Sequence, residues 1–330
     1  MLPVHITERK NIVVRKVLRF AAWSAGGLVT FALVAVVAGI IAFEHGVSQT
    51  YNVAGVDVVV PTDSATIVEG QRLYTIRGCA DCHASDLGGK KVMDAGFLVG
   101  TFSGVNISGG EGSRTASFMP RDFDRAIRHG IGPDGMPLVI MPSKDYSGMS
   151  DEELGKIIAY ITSQPQVSRT MPRPSMGPLM KTLYAFGKLD NLIHAEIVDH
   201  AKRAPRESPK DVAQLGKYIA ETCTGCHMPD LAGGPIPGMP PEFPPAADIR
   251  PTGRMASYSP EAFAAMLKTG RTPEGKNINP EFMPWTAFSA MTSEEVDALY
   301  AYLAKKPAVA SKQLNNSSTS SLDWHYSPEY

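Results

Sequence analysis

The longest uninterrupted apolar stretch of the chain runs from Phe20 to Phe43, 24 residues without a charged side chain. A helix over it rises about 1.5 Å per residue and reaches roughly 36 Å, enough to cross a bilayer with some tilt. A cleaved export signal would carry a shorter apolar core, of roughly 7–15 residues, followed by a small-residue cleavage site. No such site precedes Glu44. The pattern predicts an uncleaved transmembrane helix over 20–43. Arg9, Lys10, Arg15, Lys16 and Arg19 stand before it, so the positive-inside bias keeps residues 1–19 cytoplasmic and exports the chain from residue 45 onward.

Beyond the span, apolar positions recur at helical spacing in two matching series. The first begins with a helix from Ser64 through Gly70, Leu73 and Tyr74. Its counterpart is announced by Ser208-Pro209-Lys210-Asp211, an N-cap followed by a first-turn proline and an acid, and leads through Leu215 and Tyr218. A middle helix opens at Pro120 and closes at Gly130, passing Phe123 and Ile127; its partner opens at Pro260 and closes at Gly270, passing Phe263 and Leu267. Ser150-Asp151-Glu152-Glu153 and Thr292-Ser293-Glu294-Glu295 are capping boxes, each starting a helix with an apolar face. One face holds Ile157, Ile158 and Ile161, the other Val296, Leu299 and Leu303, and the helices stop near Pro165 and Pro307. Each half, 64–165 and 208–307, therefore reads as three principal helices joined by long Gly/Pro-rich loops, an all-α fold class. The segment 166–207 carries Pro172, Pro174, Pro178 and Pro205, but Leu179 to Asp199 is apolar enough for one or two packing helices, a structured linker. Residues 308–330 read as a mobile polar tail with Trp324, Tyr326 and Tyr330 able to dock.

With 43% hydrophobic and 20% charged residues among 330, the chain can bury a core and has room for two domains. The net charge of −1 conceals a basic N-terminus and a mildly acidic body, which excludes nucleic acid as a partner class.

The four cysteines fall in two identical patterns, Cys79-Ala80-Asp81-Cys82-His83 and Cys223-Thr224-Gly225-Cys226-His227. Cys-x-x-Cys-His marks covalent haem attachment: two thiols form thioethers with the porphyrin and the next histidine becomes an iron ligand. A disulfide redox site would not need a histidine after both pairs, and a structural zinc site would more often cluster its cysteine pairs in one small module. Two such motifs consuming every cysteine of an exported chain point to two haem c groups. Met141-Pro142 and Met283-Pro284 precede the two capping boxes, 58 and 56 residues after their histidines. Their thioethers are the candidate sixth ligands, so the expected metal ligands are His83, Met141, His227 and Met283, with Met136 or Met119 as alternatives in the first half. Histidine/methionine ligation raises the reduction potential. Met149 and Met291, just before the helix caps, read as packing residues.

The run Asn106-Ile107, Phe123, Arg128, Gly130, Gly135, Met141-Pro142, Tyr146, Met149 to Glu152 and Ala159-Tyr160 resembles the cytochrome c subunits of membrane-bound alcohol and gluconate dehydrogenases. The second half repeats the scheme as Ile249, Pro260, Phe263, Gly270, Gly275, Met283-Pro284, Phe288, Thr292 and Ala301-Tyr302. The resemblance implies two tandem class I-like cytochrome c domains behind the membrane helix. Those subunits usually hold three haems and lack a long N-terminal helix, so the chain is more similar to anchored di-haem cytochromes c found beside respiratory complexes. The resemblance also places Asn106 near a haem propionate; a plain turn role is the alternative.

The expected function is single-electron transfer outside a bacterial inner membrane, with no catalysis and no small-molecule substrate. The donor would be a quinol-oxidising complex or a dehydrogenase, and the acceptor a soluble cytochrome c, a copper protein or a terminal oxidase. The alternative, a di-haem cytochrome c peroxidase, requires one haem with an open distal side next to acid/base groups. Both halves offer the same Met-Pro instead. The first has no histidine between His83 and His129, and His129 sits at a helix end where capping is the ordinary role.

Overall fold

The computed structural model describes residues 4–189, 192–236, 239 and 242–305, with side chains from Arg15 onward. The expected polar tail 308–330 and Pro307 lie outside the described residues.

The apolar run 20–43 falls within one helix, Val4–Val47, of 44 residues. Between Arg15 and Val47 this helix is long and apolar enough to cross a membrane. Its surface changes character along its length. Phe20, Trp23 and Phe31 stand exposed, whereas Gly39, Phe43 and Gly46 are buried on one face. That face packs on a helix of the linker, Pro178–Ala185, with the Phe43 ring edge-on to Tyr184 at 5.5 Å. A small apolar core of Phe43, Ile131, Met176, Met180, Leu192 and Ile193 ties both helices to the first half.

In each half the first and last helices cross at a glycine. The Ser64–Ile76 helix meets Asp151–Ser163, and Val212–Ala220 meets Ser293–Lys305. A Cβ on Gly70 would lie 2.0 Å from the Lys156 carbonyl oxygen and 2.9 Å from Tyr160 Cβ. On Gly216 it would lie 2.1 Å from the Ala298 oxygen and 2.8 Å from Tyr302 Cβ. Only glycine permits backbones this close, and the two crossings repeat each other atom for atom.

The caps correct two expectations. Asp211, not Ser208, starts the Val212–Ala220 helix, its carboxylate accepting from the N–H groups of Ala213 and Gln214 at 3.1 and 3.0 Å. One carboxylate oxygen serves both groups there, and Ser208 is engaged elsewhere, with its hydroxyl 2.8 Å from that of Ser150. The second capping box is complete: Thr292 N–H donates to Glu295 at 2.8 Å and Glu295 N–H donates to Thr292 Oγ1 at 3.2 Å. The first is half-formed. Glu153 N–H donates to Ser150 Oγ at 3.1 Å, but Ser150 N–H donates to the Tyr218 hydroxyl at 3.0 Å, which frees the Glu153 side chain for other partners.

The fold is helix-rich but not purely α-helical. A three-stranded antiparallel sheet, in the order β1 (Lys91–Asp94), β2 (Gly100–Ser103), β3 (Ser175–Met176), joins the loop after the first haem motif to the linker. Gly96 and Gly100 turn the chain at φ +72° and +115°, and a Cβ on Gly100 would sit 1.9 Å from the Ser175 oxygen. The reversal and the close pairing with β3 depend on those glycines. Among the described residues, the linker's helical content is the Pro178–Ala185 helix and a single turn at His194–Glu196.

The two halves share one hydrophobic core, to which Leu73, Ile76, Leu154 and Ile157 contribute from the first and Tyr218, Ile219, Met291 and Leu299 from the second. Their seam has approximate two-fold character. Two residues after each crossing glycine, a side chain reaches the capping-box glutamate of the opposite half. Arg72 donates to Glu295 at 2.6 and 2.8 Å, and the Tyr218 hydroxyl donates to Glu153. The short helix after each Met-Pro also leans across, Ser143–Tyr146 onto Glu221–Cys223 and Trp285–Phe288 onto Ser64–Ile76. A cavity of about 120 Å³ remains between the halves, lined by Leu73, Arg77, Leu215, Tyr218 and Met291 among others.

Candidate haem sites

Each Cys-x-x-Cys-His motif forms a short helical turn, Cys79–His83 in the first half and Thr224–His227 after Cys223 in the second. The residue after each histidine has a backbone that L-amino acids rarely adopt: Ala84 at φ 62°, ψ 167° and Met228 at φ 64°, ψ 160°. Such a conformation costs of order 1–3 kcal/mol and persists only where the surroundings enforce it. Three residues further on, Leu87 and Leu231 again take positive φ, 62° and 65°. Backbone bonds close both loops alike, from Gly89 N–H to His83 O and from Gly233 N–H to His227 O, each 3.0 Å.

These loops aim the histidines. His83 Nδ1 lies 2.8 Å from the Val105 carbonyl oxygen and His227 Nδ1 lies 2.7 Å from that of Ala247. A carbonyl can only accept, so each Nδ1 carries the proton and each Nε2 keeps an available lone pair. Burial pushes both histidine pKa values below the ordinary range, which favours neutral rings at pH 7.

The four sulfurs are unpaired with one another. Burial pushes the Cys79 and Cys223 thiols up to about 12, and raises Cys82 and Cys226 in the same direction. A setting that disfavours thiolate suits neutral thioethers and opposes a zinc thiolate centre. Among the described residues no group of three or more His, Cys, Asp or Glu could hold a metal ion. The donor set therefore fits haem, with one nitrogen and two sulfurs from each motif.

Met141 and Met283 occupy matching places, partly buried against the shared core. Pro142 (φ −79°, ψ 53°) and Pro284 (φ −77°, ψ 56°) have nearly the same backbone, and Ser143 N–H and Trp285 N–H donate to the Met141 and Met283 carbonyls at 2.8 and 2.7 Å. The preceding loops are closed alike, by Leu138 N–H to Gly130 O and Ile278 N–H to Gly270 O, both 2.7 Å. Of the first-half alternatives, Met119 is half-exposed at 50% and Met136 is exposed at 39%. Met149 and Met291 are buried in the core, as packing residues should be.

Asn106 is fully buried and serves its own loop. Its amide donates to the carbonyls of Val167 and Arg169 at 2.7 and 2.9 Å and its oxygen accepts from Ser108 N–H at 2.9 Å, clamping the linker to the loop beside Val105. His129 does not cap its helix; its Nδ1 faces His200 Nδ1 at 3.0 Å. One group between the two motifs was not singled out from the sequence. Arg77, two positions before Cys79, sends Nε and Nη2 to Glu153 at 2.5 and 2.9 Å, donates Nη1 to Thr222, and lies 4.9 Å over the Tyr218 ring. Burial alone would lower its pKa, but the Glu153 carboxylate outweighs that and the guanidinium stays charged. Its charge reaches both Cys79 and Cys223, so it sits between the two attachment sites.

Comparison with known proteins agrees with this geometry. Residues 213–306 match the family model described as Cytochrome c, and residues 65–161 match the one described as Cytochrome C oxidase, cbb3-type, subunit III. The chain thus carries two cytochrome c domains. It is 27% identical to the diheme cytochrome c-type of Cereibacter sphaeroides, over 73% of this chain and 86% of that protein. It is 23% identical to the fructose dehydrogenase cytochrome subunit of Gluconobacter japonicus, over 74% of this chain and 53% of the relative. With the alcohol dehydrogenase (quinone) cytochrome c subunit of Gluconacetobacter polyoxogenes the identity is 25%, over 77% and 58%. The chain spans little more than half the length of these two dehydrogenase subunits. Two such domains and two attachment motifs define a protein with two covalently bound haem c groups.

Proposed function

We propose that the chain is a membrane-anchored di-haem cytochrome that passes single electrons from a quinol-oxidising or dehydrogenase complex to a soluble cytochrome c, a copper protein or a terminal oxidase. In this reading Cys79, Cys82, Cys223 and Cys226 hold the haems, His83 and Met141 ligate one iron, and His227 and Met283 ligate the other. Domains at 64–165 and 208–307, joined by 166–207, stand on the periplasmic side of an inner membrane crossed by residues 20–43. Haem, when bound, supplies the one-electron couple. The protein's share is to hold each imidazole neutral through its Nδ1 bond, to supply a methionine thioether that would be the second protein ligand, and to exclude water with the shared core.

The observation that carries this reading is the repetition of the strained loop, the histidine bond and the Met-Pro geometry in both halves. An enzyme of the peroxidase kind would differentiate one haem to admit substrate. The names of the dehydrogenase relatives support a dehydrogenase as donor.

The deciding experiment is spectroscopy of the fully loaded protein. Two low-spin six-coordinate haems, closed to carbon monoxide and nearly inert towards peroxide, are expected. A high-spin haem with rapid peroxide turnover would overturn the reading in favour of a peroxidase. Purification in mild detergent with mass spectrometry of co-purifying proteins tests the partners.

A further inference from the structure

The spanning helix does not leave the membrane as a free stalk. Its buried face begins before the uncharged run ends. A Cβ on Gly39 would lie 2.6 Å from Thr182 Cα, and one on Gly46 would lie 2.5 Å from the Tyr184 hydroxyl. The uncharged run reaches roughly 36 Å against a hydrocarbon core of about 30 Å, an excess of about four residues. If the basic flank ending at Arg19 marks one boundary, Gly39 lies at the other, and Thr182 shares its depth.

The linker helix is dressed for that depth. Leu179, Thr182 and Phe186 fall at i, i+3 and i+7, with Phe186 capping the helix end and Thr182 against Gly39 of the spanning helix. Leu179 is 45% and Phe186 60% exposed. Directly beside the start of this helix, the Gly96–Val99 turn holds Phe97 and Leu98 outward at 82% and 60% exposure. The turn is fixed there by Gly177 N–H donating to Val99 O at 2.9 Å, with the Phe97 and Leu98 carbonyls against Gly177. Lys181, also on the linker helix, runs over the Phe43 ring at 5.3 Å and ends 2.5 Å from Glu44. An aliphatic stem along an apolar helix with its charge carried towards the polar side is how lysine behaves at a membrane surface.

We propose that the Leu179–Thr182–Phe186 stripe and the Phe97-Leu98 turn form a second membrane-contact surface, seated at the headgroup–acyl boundary beside the spanning helix. The occupant is the phospholipid bilayer, since the patch continues the lipid-facing surface of that helix and a row of exposed aromatic and leucine side chains is otherwise unfavourable in water. The consequence is a fixed tilt of both haem-bearing halves over the membrane. The inference rests on residues 20–43 being a span.

The full-length, haem-loaded protein in nanodiscs carries the test. The discs contain a phosphatidylcholine and phosphatidylglycerol mixture with a diazirine placed high on one acyl chain; after irradiation, lipid-bearing peptides are mapped by mass spectrometry. Adducts are expected on peptides of the span, on those holding Phe97-Leu98, and on those holding Leu179 to Phe186. The peptide of Phe282, an exposed aromatic in the second half at 42%, should carry none. Adducts confined to the span would overturn the second surface and leave the anchor standing. A span without adducts would overturn the anchor, and the proposal with it.

Discussion

Arg77 and Glu153 form a paired charge whose side chains are only 7% and 4% exposed, and both neighbours that complete it, Tyr218 and Thr222, come from the other half of the chain. Removing one partner of such a pair leaves the other charge buried, a loss of about 3–5 kcal/mol. Arg77→Gln should therefore lower the thermal midpoint of both halves together, read by calorimetry on the haem-loaded protein. Two separate transitions with only one displaced would show that the seam does not couple them.

The crossing glycines give a sharper test. Gly70→Ala and Gly216→Ala each force a methyl into a gap of about 2 Å beside a carbonyl oxygen. Overpacking of this kind costs typically about 1–3 kcal/mol. Each change should be felt first in its own half, as faster amide exchange in Asp151–Ser163 for the first and Ser293–Lys305 for the second.

Cys82→Ala and Cys226→Ala should each remove normal attachment at one motif only, seen as the loss of one haem's mass from the intact protein. Met141→Ala and Met283→Ala should instead keep both haems, lower the potential of one by losing its thioether, and open that iron to carbon monoxide. A redox titration with two unchanged potentials would remove the methionine concerned from the ligand set.

His129 supplies a pH dependence outside the haem sites. Burial, and the His200 ring facing it, lower its pKa, while Asp124 at 3.9 Å opposes them. A base whose folded pKa lies below its unfolded value of about 6.5 contributes stability above that pH and loses it as the pH falls towards the folded value. Arg128 and Tyr51 also flank the pair. Melting temperature should drop as the pH falls below about 6.5. His129→Gln should flatten that drop; an unchanged profile would assign the acid sensitivity to other groups.

The sequence carried what depends on neighbours along the chain. Pro260, Gly270 and the Thr292 to Glu295 box act within one helical turn, so their residue types reveal their geometry. The two haem motifs were legible for the same reason. What the pattern could not show is tertiary. Ser208 and Asp211 are both competent caps, and the choice was made by Ser150, 58 residues away. The sheet depends on β3 arriving from the linker. Glu153 looked like half of a capping box until Tyr218 took the Ser150 amide. A charged Arg77 at the end of an apolar helix face was the one visible sign of the seam, since an isolated charge there calls for a buried partner.

The shared core also bears on how an electron would travel between the halves. Two domains on a slack tether exchange electrons only when they happen to meet, and the rate then follows solvent viscosity. Here Arg72 is locked to Glu295, Arg77 to Thr222 and Tyr218 to Glu153, and each post-methionine helix is wedged against the opposite half. The gap is a frozen length. Transfer across it would be tunnelling at constant distance, indifferent to viscosity and set by driving force and reorganisation energy.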